Sequence, residues 1–223
     1  MKLKDKAVLI TGSSEGIGRE TALKFAAEGC ALAITYCHHR KEGEDTVKKC
    51  IERGASDALL VQLDISDDKS IKNCVKSVVK KFKHISILIN NAGVLRFALF
   101  RDQSFDDITL QVNVNLSGTM KMTHEALPYV KDMIINIASG AGKTAYDTLV
   151  PYCATKFGVR GFTQGLAQEV KIPVYAVNPG MTSTRMTNYK GVPPEKVAQV
   201  IFNTAKGRYR VKSGGDIDVW NYI

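Results

Sequence analysis

"KAVLITGSSEGIGRETALKFAAEG", residues 6–29, is the stretch on which the fold turns. An apolar run, "KAVLIT", stops at a glycine, and from Gly16 onward apolar residues recur at helical period. The joint, "TGSSEGIG", is glycine-rich in a particular way: Gly12 permits a tight turn, Gly16 a close backbone approach, and Gly18 close packing of helix on strand. The helix that follows points its N-terminal N–H groups at whatever fills the turn, and a pyrophosphate suits that place. A plain strand-to-helix connection would use the same glycines, and the spacing departs from G-x-G-x-x-G. The rest of the chain has to arbitrate.

It repeats the same alternation. "ALAIT" precedes "GEDTVKKCIERG", "ALLVQL" precedes "DDKSIKNCVKSVVKKF", and "ISILIN" precedes a long helical stretch ending near "HEALPYV". "MIINIA" precedes "PYCATKFGVRGFTQGLAQEV", "PVYAV" precedes a loop and "PPEKVAQVIFNTAK", and "DIDVW" is a last strand. Buried strands alternating with helices predict an α/β fold, a Rossmann-like doubly wound parallel sheet of about seven strands covered on both faces. No linker or low-complexity tract interrupts the rhythm, so residues 1–223 are expected to form a single dinucleotide-binding domain. In such sheets ligands lie beyond the carboxyl ends of the strands, where strand order reverses. Gly12 to Gly18, Asp64, Asn90 to Gly93, Ser139 and Pro179 to Thr184 should therefore face one crevice.

The totals narrow the function. Lys plus Arg exceeds Asp plus Glu by 31 to 22, a net charge of +9. The basic residues are spread through helices as in "KNCVKSVVKKFK", which reads as solvated helix faces; no specific nucleic-acid partner is expected. No apolar run is long enough for a membrane span, and the N-terminus lacks the pattern of a signal peptide. Five cysteines without C-x-x-C or framework spacing point to a reducing, cytoplasmic setting. His38 and His39 are adjacent but lack partners at ligand spacing, so no metal is expected.

Two stretches compete to carry chemistry. "SGAGKTAY" contains a Gly-Lys-Thr triplet, but a phosphate-gripping loop needs glycine five places earlier, where Ile137 sits inside a strand. "PYCATK" sets Tyr152 and Lys156 four apart, on one helical face. A tyrosine with a pKa of about 10 is a poor acid–base group at neutral pH, and a neighbouring ammonium favours its phenolate. Such a pair can protonate an alkoxide or take a proton from an alcohol. Tyr146 has Val150 four residues on and is not so equipped.

With "TGSSEGIG", "LDIS", "NNAG", "VNLSGT", Ser139, "YCATK" and "NPGMTST" in this order, the chain resembles the short-chain dehydrogenases/reductases, in their compact single-domain branch. Ser139 precedes Tyr152 by 13 residues, the separation usual in that family. The resemblance implies that Tyr152 is the catalytic acid–base and Ser139 the hydroxyl that polarises a carbonyl. Lys156 would bind the nicotinamide ribose and lower the tyrosine pKa, and Asn115, rather than Asn113, would hold a water in the proton relay. The cofactor contacts it implies begin with Gly12, Ser13, Ser14, Glu15, Gly16, Ile17 and Gly18. Asp64 and Ile65 would lie by the adenine, Asn91, Ala92 and Gly93 along the middle, and Pro179, Gly180, Thr182 and Thr184 near the nicotinamide.

No carboxylate follows the second strand: "AITYCHHRK" places Tyr36 there, with Arg40 beyond, so NADP(H) is expected over NAD(H), although Glu15 stands where many NADP-using relatives carry a basic residue. The expected partner is a small-molecule or carrier-linked carbonyl or alcohol. The alternative is a non-catalytic dinucleotide-binding regulator on the same fold, whose cue would be loss of the serine, tyrosine or lysine. The long helices following Asp107 and Pro151 resemble those the family pairs in homodimers or homotetramers. Only "RMTNYKGV", residues 185–192, is left to cover the substrate; as helix it would span at most about 12 Å. A short lid, mobile when the site is empty, is the expectation, as is an open site.

Overall fold

The computed structural model describes residues 2–223. Strand β1 (Ala7–Ile10) runs into the glycine turn and helix α1 (Gly16–Ala26). The pattern continues with β2 (Ala31–Tyr36), α2 (Arg40–Glu52), β3 (Asp57–Gln62), α3 (Asp68–Phe82) and β4 (Ile85–Asn90). Then come α4 (Phe105–Val112), α5 (Thr119–Ala126), β5 (Val130–Ile137), α6 (Val150–Glu169), β6 (Val174–Asn178), α7 (Pro194–Ala205) and β7 (Asp216–Asp218). The seven strands form one parallel sheet in the order β3-β2-β1-β4-β5-β6-β7. The order reverses between β1 and β4, which opens the crevice there.

Alternate residues of each strand feed two cores. Val8, Ile10, Ile34 and Ile89 face α1 and α7, where Phe25 meets Phe202 edge-on at 5.4 Å. Leu9, Ala33, Leu88 and Ile134 face α3 and α5 on the other side. The central strands β1, β2 and β4 are buried on both faces, which is why they read as continuous apolar runs. Helix α3 shows the charge pattern resolved in space: Ile71, Cys74, Val75 and Val78 point inward while Lys72, Lys76 and Lys80 are exposed. Asp67 caps it by accepting from the Lys69 and Ser70 N–H groups.

Between α4 and α5 the helix does not stop but widens into a π turn, Asn113–Gly118. Gly118 explains the close fit there, since a Cβ on it would stand 2.5 Å from the Ile65 carbonyl oxygen. The expected short lid is present, with a single 3-10 turn at Arg185–Thr187.

Candidate active site

A cavity of about 710 Å³ lies across the carboxyl ends of the strands at the β1/β4 switch point. One end is bordered by Cys37, His38, His39 and Asp64, and the glycine turn and Asn91–Gly93 form its middle. At the other end Ser139, Tyr152 and Lys156 come together. Past them the wall turns apolar, with Val94, Leu95, Phe97, Leu149, Met181 and Met186.

The turn keeps its shape through left-handed glycines, Gly12 at φ +63° and Gly16 at φ +57°. A Cβ on Gly12 would lie 3.0 Å from the Ala92 Cα, so the floor is bare backbone by necessity. Asn91 locks this floor by donating from Nδ2 to the Thr11 and Gly12 carbonyls, both at 2.9 Å. Ser14, Glu15, Gly16 and Ile17 border the cavity. Ser13 and Gly18 do not: the Ser13 hydroxyl donates to the Ile10 carbonyl at 2.8 Å and accepts from the Thr35 N–H at 2.9 Å, pinning β1 to β2. Gly18 packs directly behind the turn, where a Cβ would be 2.3 Å from the Gly12 oxygen.

Helix α6 presents Tyr152 and Lys156 on one face, and Pro151 in its first turn starts it at no hydrogen-bond cost. Ser139 sits just past β5, its Oγ accepting from the Ala141 N–H at 3.1 Å, and it lines the cavity together with Tyr152. Lys156 is only 4 % exposed; its ammonium donates to the Ile137 carbonyl at 2.9 Å and lies 5.6 Å from the Tyr152 ring centre. Burial lowers the Lys156 pKa to about 8. The same desolvation pushes Tyr152 up to about 12, with the neighbouring Ser139 hydroxyl pulling the other way. The expected lowering of Tyr152 by Lys156 is therefore absent from this arrangement. The ammonium is itself desolvated, bonds a carbonyl and faces the ring rather than the hydroxyl.

Other expected residues lie where the sequence alone could not place them. Asn115 is fully buried outside the cavity wall, accepting from the Val94 N–H at 2.8 Å and donating to the Val94 carbonyl at 2.9 Å. A Cβ on Gly93 would lie 3.2 Å from its Oδ1 and 3.8 Å from the Lys156 ammonium, so Asn115 stands immediately behind the wall; Asn113 is exposed. Asn90 ties strands together, donating to Asn136 and Thr123. Asp64, Ile65, Ala92, Gly93, Pro179, Gly180, Thr182 and Thr184 all border the cavity. Tyr36 is buried against α2, and Arg40 is turned along that helix to Glu44 at 2.8 Å; neither reaches the cavity. The cation that does reach the corner after β2 is Arg185, from the lid, which the sequence pattern did not single out. Lys143 of the Gly-Lys-Thr triplet pairs with Asp218 at 2.5 Å and lies over Trp220, while Arg160 grips Asp216 and the Gly142 carbonyl. These contacts tether the Ser139 loop to β7.

A dinucleotide fits these residues. The floor is side-chain-free over the glycine turn, α1 begins there, and the Lys156 ammonium has hydrogens left for a pair of ribose hydroxyls.

Comparison with known proteins agrees with this geometry. The family pattern described as short chain dehydrogenase matches residues 6–193. A 3-oxoacyl-[acyl-carrier-protein] reductase FabG from Staphylococcus aureus is 32% identical over 228 residues, covering 98% of this chain and 89% of that protein. An NADP-dependent 3-hydroxy acid dehydrogenase from Schizosaccharomyces pombe is 32% identical over 224 residues, covering 90% and 86%. Among solved structures, a short chain dehydrogenase from Burkholderia cenocepacia in complex with NADP superposes with a TM-score of 0.90 at 28% identity, covering 98% and 97%. With a switch-point crevice, a glycine turn at its centre and a serine, tyrosine and lysine at its end, the chain belongs to the short-chain dehydrogenase/reductase family of NAD(P)-dependent oxidoreductases.

Proposed function

We propose that this protein interconverts a carbonyl and an alcohol with NADP(H), acting on 3-oxoacyl or 3-hydroxyacyl groups, free or carried on a larger molecule. The observation that carries the reading is the convergence of Ser139, Tyr152 and the buried Lys156 where polar and apolar walls of the cavity meet. When bound, the nicotinamide supplies or accepts a hydride. Ser139 orients and polarises the substrate oxygen, and Tyr152, protonated at neutral pH, gives its proton to that oxygen in reduction and recovers it in oxidation. Lys156 holds ribose hydroxyls and recharges the tyrosine through them. Asn115 acts from behind, holding the Val94 backbone and through it the Gly93 segment of the wall.

The apolar wall suits an acyl chain, and the names of the S. aureus and S. pombe relatives, an acyl-carrier reductase and a 3-hydroxy acid dehydrogenase, support that substrate class. The preference for NADP(H) is supported by the NADP complex of the Burkholderia relative and by the absence of an acidic residue from Tyr36 to Lys41. The test is a panel of 3-oxoacyl thioesters, ketones and aldehydes followed by loss of NADPH absorbance. Turnover greatest with 3-oxoacyl thioesters is expected; turnover of simple aldehydes alone would reject the substrate class, and no turnover of any carbonyl would reject the reaction.

A further inference from the structure

From the lid, Arg185 reaches the adenosine corner. One of its terminal nitrogens stands 2.9 Å from Glu15 Oε2 and 3.6 Å from Glu42 Oε1, and the other 2.8 Å from the His39 ring. Thr184, beside it, places a methyl 3.2 Å from where a Cβ on Gly16 would stand. The lid is thus seated on the glycine turn, with Arg185 reaching the end of the cavity opposite Tyr152. The corner holds the carboxylates of Glu15 and Glu42, with Asp64 also at that end, and Arg40, the first cation after β2, is engaged by Glu44. Without Arg185 that corner would repel a 2′-phosphate and accept a ribose hydroxyl.

We propose that Arg185 is the residue that selects a 2′-phosphate, passing from its pairs with Glu15 and Glu42 to the phosphate when NADP(H) binds. The inference rests on the dinucleotide reading above. Its physics is an exchange of partners. The Arg185–Glu15 pair is nearly half exposed, and such pairs are weak because water screens them. A phosphate dianion offers a guanidinium bidentate, charge-assisted hydrogen bonds, which are stronger. Because Arg185 belongs to the lid, recognising the 2′-phosphate and setting the lid's position become one event, coupling the adenosine end of the cofactor to access at the substrate end.

Fluorescence titration of the full chain with NADPH and with NADH, without substrate, reads the selection directly. Arg185→Ala should weaken NADPH binding by about tenfold or more, the scale of lost charge-assisted bonds, while changing NADH binding by less than about threefold. Arg185→Lys should restore part of the loss, and Glu15→Gln, which removes a competitor without removing the lid, should tighten NADPH. Hydrogen exchange supplies the second arm: adenosine 2′,5′-bisphosphate should change protection across residues 185–192 in the wild type and not in Arg185→Ala, whereas 5′-AMP should change it in neither. Equal weakening of both dinucleotides in Arg185→Ala, or no weakening of either, would overturn the inference. Every arm reads binding, so failure to turn over carbonyls would count against the catalytic reading alone, while a wild type that binds neither dinucleotide would overturn both.

Discussion

At Lys156 burial and charge oppose each other. Its pKa falls from 10.5 to about 8 in the folded protein, so the folded state binds protons less readily than the unfolded one. The buried ammonium costs stability at pH 7, and stability should recover as pH rises from about 8 towards 10.5, where only the unfolded chain still holds the proton. Lys156→Met should therefore melt no lower than wild type at pH 7, with any advantage shrinking by pH 10, even as carbonyl reduction should be lost; thermal melts at both values check this. Tyr152 is displaced in the opposite sense and stays protonated through neutral pH. Reduction should then be flat with pH across the neutral range. Oxidation, which needs the phenolate, should climb by up to about tenfold per pH unit below the tyrosine pKa. Steady-state rates in both directions, with saturating cofactor, give the comparison. The tyrosine and lysine were legible because their spacing is local, and the serine through the family resemblance. Arg185 was not, since its partners Glu15, His39 and Glu42 lie more than a hundred residues away and no periodicity marks such a pairing.

Among the elements, the strands follow from their continuous apolar runs and most helices from apolar period, because each helix buries a face that the sequence displays. The π turn at Asn113–Gly118 has no such signature; tertiary contact accompanies it, with Gly118 pressed on the Ile65 carbonyl and Asn115 bonded to Val94. Gly118→Ala should cost about 1–3 kcal/mol by overpacking, measured as a lower urea midpoint with unchanged slope. The lid departs from expectation for a related reason. Its length is as short as the sequence suggests, but it is closely self-bonded: the Thr187 hydroxyl donates to the Thr182 carbonyl, Ser183 Oγ to the Tyr189 carbonyl, and the Val192 N–H to the Met181 carbonyl. With Arg185 seated on Glu15, these bonds give no support to a lid that is mobile when empty.

Over the whole molecule, one face stays apolar and uncovered. Phe105 of α4 is 89 % exposed, and Phe157 of the adjacent α6 is partly so. Along α6, a Cβ on Gly161 or Gly165 would meet nothing within 4 Å, while Gly158 is filled by Leu116 of the same chain. An apolar face with open glycines lets a second helix pair approach closely, so we predict a homo-oligomer joined through α4 and α6. Light scattering should give at least a dimer at micromolar concentration, and Phe105→Glu should lower the mass; a monomeric wild type would rule this out.

The central claim is that Tyr152 moves the proton. Tyr152→Phe keeps the ring and its packing but removes the hydroxyl, so NADPH should bind within a few-fold of wild type while single-turnover reduction of the best 3-oxoacyl substrate falls by about 100- to 10,000-fold. Near wild-type turnover with intact binding would contradict the account.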